Sequence, residues 1–89
     1  MRMARSIRVF GKVQNVGFRF YTVRTAQQFD ITGFVKNDTD GTVYIEAEGN
    51  PSDLETFTDW CRRGPQWARV ERMEIQEIPV AGHHDFREK

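Results

Sequence analysis

The feature that most constrains this chain is a change of hydrophobic period across Gln14-Asn15-Val16-Gly17-Phe18-Arg19. Before it, Ile7, Val9 and Val13 alternate with Arg8, Phe10 and Lys12, the period of two that marks a strand. After it, Phe18, Thr22, Ala26 and Phe29 recur at spacings of four, four and three, one stripe of a helix. The pattern predicts a strand over 5–13, a helix over 18–29 and a strand-to-helix loop between them. Gly11 falls in an inward-phase slot of the strand, where it marks a bulge or a close approach of another group. A loop of this kind points backbone N–H groups outward at a helix N-terminus, where the helix dipole favours an anion. Arg19 breaks the local rule, because a cation in a first helical turn is mildly unfavourable. An anion held between Arg19 and the loop amides removes the conflict. From this stretch alone, a tight turn with a surface arginine is the more economical reading.

Further along, Gly33–Asn37 and Thr42–Glu48 flank Asp38-Thr39-Asp40-Gly41, and Asp-Gly between two β-rich runs predicts a hairpin. Val43, Ile45 and Ala47 are expected to face the core, with Thr42, Tyr44, Glu46 and Glu48 on an exposed outer face. Asn50-Pro51-Ser52-Asp53 starts a second helix, with Asn50 as N-cap, Pro51 in the first helical position and Asp53 in the first turn. Leu54, Phe57 and Cys61 form its apolar stripe, and Gly64-Pro65 stops it. Residues 68–76 read as the last clear strand, with a bulge or late start where alternation breaks between Val70 and Met73. Beyond Pro79 the chain is polar apart from Val80 and Phe86, so it is expected to fray unless Phe86 anchors a short edge strand. The order β-α-β-β-α-β predicts an α+β, ferredoxin-like fold, a four-stranded antiparallel sheet with two helices on one face.

Composition narrows the function. The 89 residues suit one domain, 1–89. Thirteen basic and thirteen acidic residues cancel, so net charge offers nothing to a nucleic acid. No apolar run approaches the roughly 20 residues of a membrane span. The basic start, Met1–Arg5, has no apolar signal core after it, and Cys61 is alone. A cytoplasmic monomer with no membrane or nucleic-acid partner is the expectation.

In the predicted topology the end of strand one and Asn37 belong to one sheet, so the 14–19 loop and Asn37 are expected to be near each other. A phosphate on the loop amides and a bidentate Arg19, with a carboxamide beside it orienting a water, is chemically coherent. On local sequence alone, Asn37 reads more simply as an Asx turn before Asp38. His83-His84 has no further His or Cys beside it and reads as part of a solvated tail rather than a metal site. Asp38 and Asp40 are explained by turn chemistry. Tyr44 has Thr42, Glu46 and Glu48 as strand neighbours, which argues against an RNA-binding sheet.

Taken together, Gly11-Lys12-Val13-Gln14-Asn15-Val16-Gly17-Phe18-Arg19 and Gly33-Phe34-Val35-Lys36-Asn37 with Asp40-Gly41 resemble the acylphosphatase family. Phe57, Trp60, Gly64-Pro65, Ala68 and Val70 extend the resemblance over residues 5 to 76. It implies a ferredoxin-like fold and hydrolysis of small acyl phosphates to a carboxylate and inorganic phosphate, with no metal and no cofactor. It also implies that the loop Gln14, Asn15, Val16, Gly17, Phe18 and Arg19 cradles the phosphate, that Arg19 binds phosphoryl oxygens and that Asn37 orients the water. Two departures stand out. Asn15 replaces the family's usual loop glycine; if a left-handed residue is needed there, Asn is the least costly substitute. Asp30 stands where the family tends to have Gly at the end of helix one. The rival within the same family is a non-catalytic module that binds a phosphate ligand without turnover.

Overall fold

A computed structural model describes residues 1–89. The elements are β1 (Met3–Lys12), α1 (Phe18–Gln28), β2 (Thr32–Asn37), β3 (Val43–Gly49), α2 (Pro51–Arg63), β4 (Arg69–Ile78) and β5 (Phe86–Glu88). They form one sheet in the order β4-β1-β3-β2-β5. Three of its four pairings are antiparallel; β2 and β5 run parallel. α1 packs over β2 and β5, α2 over β1 and β4, and the two helices touch each other. Ile7, Val9, Val35, Val43, Ile45 and Ala47 alternate inward and are fully buried beneath Phe18, Ala26, Leu54, Phe57 and Cys61. Their register, Ile7 opposite Ile45 and Val9 opposite Val43, keeps every inward residue on the helix side.

The bulge expected from two separate irregularities is one feature. Phe10 pairs with Arg72 but Gly11 pairs with Val70, leaving Glu71 as the extra residue. Gly11 has φ 129, and a Cβ there would overlap the Arg69 carbonyl, so no larger residue fits. The first helix ends in a Schellman arrangement: Ile31 N donates to Ala26 O at 2.9 Å across Asp30, which is left-handed at φ 54. α2 starts as expected, with Asn50 Oδ1 accepting from Asp53 N at 2.9 Å.

Two expectations need correction at the C-terminal end. The sheet has five strands and is mixed, not four and antiparallel. Phe86, 7% exposed, inserts against Phe57 with ring centroids 5.9 Å apart, and Gly33 N donates to Asp85 O while Lys89 N donates to Val35 O. The edge of β2 therefore gains main-chain partners that only the folded tail supplies. Glu48, expected in water, is 2% exposed. Its carboxylate accepts from the backbone N–H groups of Ala81, Gly82 and His83, which satisfies a charge that burial would otherwise penalise. The tail thus covers part of the outer face, and the ring of His83 packs edge-on to Phe34. On the same face Tyr44 is covered by Arg8 and Lys36, and Phe10 by Arg72, so these rings are capped by cations rather than open for stacking. Thr42 is buried as well, beneath the contacts it makes with Arg8 and Asp40.

Candidate active site

The β1–α1 loop begins from Val13, buried at the end of the first strand, and turns through two left-handed residues, Asn15 at φ 62 and Gly17 at φ 79. Alternation of this kind curls a short segment into a concave nest able to receive an anion. Gly17 is the N-cap of α1 and no side chain caps the helix, so its first turn lacks an acidic partner of its own. Thr22 and Thr25 turn their hydroxyls back to the carbonyls of Phe18 and Tyr21, which lets two polar residues sit on the buried face of the helix.

Gln14 links the loop to the hairpin. Its amide Nε2 donates to Asp38 O at 2.7 Å and to Thr42 O at 2.9 Å. From β1, Arg8 Nη1 donates to Asp38 Oδ2 at 2.6 Å and to Thr42 Oγ1 at 2.8 Å. The bond to Asp38 holds the Arg8 guanidinium even more firmly protonated than usual. Asp40 closes the turn by accepting from Thr42 N and Thr42 Oγ1, and those bonds keep its carboxyl below the ordinary range. The turn is therefore built by Asp38, Asp40 and Gly41 N, which donates to Asp38 O; the side chain of Asn37 takes no part in it. The Asx-turn reading of Asn37 does not hold.

Asn37, at the end of β2, instead lines a pocket of about 110 Å³ together with Asn15, Gly17, Phe18 and Arg19. Gln14 and Val16 do not line it; Gln14 acts on the loop from behind. Phe20 and Glu88 complete the rim. The first-turn cation is not unpaired: Arg19 Nε lies 3.4 Å from Glu88 Oε1, and Arg19 Nη1 donates to Lys89 O at 3.1 Å. Glu88 was outside the set expected from the sequence. Its signal was the period of two: Phe86 faces the core, so Glu88 shares that face.

Fold and pocket together define a class, a ferredoxin-like domain with a pocket at the end of its first strand in which Arg19 is paired with Glu88. The acylphosphatase family model matches residues 5–88. An acylphosphatase of Mannheimia succiniciproducens is 47% identical over 78 residues, 88% of this chain and 84% of that one. The structure of an acylphosphatase from Coxiella burnetii superposes with a TM-score of 0.95 at 34% identity, covering 99% of this chain and 93% of that one. The acylphosphatase from Bacillus subtilis gives 0.94 at 36% identity, covering 100% and 99%. The chain belongs to the acylphosphatase family.

Proposed function

We propose that this protein hydrolyses the carboxyl-phosphate bond of small acyl phosphates, as a single-domain monomer of the cytoplasm. The phosphate sits on the 14–19 loop with Arg19 on its oxygens, and Asn37 orients the attacking water. The observation that carries the reading is that Arg19 and Asn37, from different elements, line one pocket with the left-handed loop residues. Water oxygen attacks phosphorus, the bond from phosphorus to the acyl oxygen breaks, and that oxygen leaves as a carboxylate. Because the leaving group is good, positioning and charge stabilisation supply most of what the reaction needs. Arg19 suits the task because its planar fork matches two phosphoryl oxygens at once. Glu88, 3.4 Å from the Arg19 guanidinium, competes with an incoming phosphate for it.

Release of inorganic phosphate from acetyl phosphate and benzoyl phosphate by the purified protein tests the reading. Turnover is expected with both, and Arg19→Ala is expected to abolish nearly all of it while the protein stays folded. Phosphate binding without turnover would instead support a non-catalytic phosphate-binding module.

A further inference from the structure

A second concavity lies at the same end of the molecule, between the helices. It measures about 240 Å³ and is walled by Tyr21 and Thr25 of α1, Trp60 of α2, and Pro65, Gln66 and Trp67 of the α2–β4 loop. Trp67 is 72% exposed and Tyr21 47% exposed, so two large aromatic faces stand in water beside it. The groove adjoins the phosphate pocket. The Tyr21 ring lies 3.4 Å from where a Cβ on Gly17 would stand, and Gly17 lines that pocket. Phe18, also in the pocket lining, packs edge-on to Trp60 at 5.7 Å. Phe20 on the rim meets Tyr21 edge-on at 5.2 Å, so the aromatic surface runs from one cavity into the other.

The direction of the reaction points the same way, on the reading that Asn37 holds the water. Attacking and leaving oxygens lie roughly in line across phosphorus. The end of β1 stands between Asn37, reached across β3, and the start of β4, where Lys12 pairs with Arg69. A water held by Asn37 therefore directs the acyl group away from β2, toward the loop that carries Trp67 into β4.

We propose that the groove between the helices is the acyl subsite of this protein, and that Tyr21 and Trp67 select acyl phosphates with flat, aromatic acyl groups over acetyl phosphate. A planar ring entering between them gains face and edge contacts that an acetyl methyl cannot reach. Thr25 and Gln66, the polar residues of the wall, leave the groove without a fixed charge, which excludes no neutral acyl group.

The test is the ratio of kcat/KM for benzoyl phosphate to that for acetyl phosphate. Trp67→Ala and Tyr21→Ala are each expected to lower this ratio about fivefold. An equal loss on both substrates overturns the proposal. Trp67 is a surface residue, so its removal leaves the core intact, and the thermal midpoint verifies this. A binding measurement separates this proposal from the hydrolytic reading on which it rests. By calorimetry, benzylphosphonate is expected to bind more tightly than methylphosphonate, and Trp67→Ala to erase the difference. Equal affinity for the two phosphonates overturns the subsite even if turnover is present. A benzyl preference without turnover upholds the groove and rejects the hydrolytic reading.

Discussion

Asn15 and Arg19 occupy a loop in which single side chains set both backbone shape and charge. Asn15 is left-handed at φ 62, the conformation in which Asn costs least after Gly. Asn15→Gly is therefore expected to leave the protein active, whereas Asn15→Ala loses about 1 kcal/mol of stability and part of its phosphate affinity; denaturant titration and phosphate inhibition check both. The sequence pointed to this angle because a non-Gly residue stood where the family has glycine. It pointed to Arg19 because a first-turn cation is out of place, but not to what compensates it. Glu88 comes from the far end of the chain, and only its phase with Phe86 linked it to the site. On the proposed reading Glu88, paired with Arg19, competes with phosphate for it, so Glu88→Gln is expected to tighten competitive inhibition by inorganic phosphate about twofold to fivefold, the range of a solvent-exposed ion pair. An unchanged inhibition constant contradicts the competition.

Elements with a clear period were legible: β1, α1, the β2–β3 hairpin and α2 lie within a few residues of where the pattern put them. β5 was legible only as an alternative to fraying, the short edge strand anchored by Phe86, because three residues carry no period and its stability comes from main-chain bonds to the edge of β2. Glu48 was misread for a related reason, since strand alternation reports which face a residue is on and not whether a tail covers that face. The tail is part of the site because it delivers Glu88 to the pocket. Phe86→Ala, which empties the space against Phe57, is expected to cost about 3 kcal/mol in a denaturant titration. It should also expose the Asp85–Lys89 amides, so hydrogen exchange there should rise ahead of that in β1 and β3. Uniform exchange across the sheet would contradict a separately docked tail.

The whole molecule is one sheet with one apolar face, and its interior holds a single thiol. Burial pushes the Cys61 thiol well above its ordinary range. The unfolded chain ionises above about pH 8.5 while the native thiol stays neutral, so this contribution to stability is intact below that pH and declines above it, by about 1.4 kcal/mol per pH unit. The stability difference between the unsubstituted protein and Cys61→Ala should shrink accordingly as pH rises past 9, and a constant difference would contradict it. The sheet and the helix that follows its first strand bring two distant residues, Arg19 in the first turn of α1 and Asn37 at the end of β2, to one pocket. A group that orients a nucleophile acts mainly in the transition state, whereas the phosphate-holding role proposed for Arg19 and the loop also acts in the ground state. The most direct measurement is steady-state hydrolysis of benzoyl phosphate by Asn37→Ala, alongside competitive inhibition by inorganic phosphate. The expected result is a fall in kcat of about a hundredfold with phosphate affinity close to that of the unsubstituted protein. A retained kcat would move the water to another residue and contradict the account.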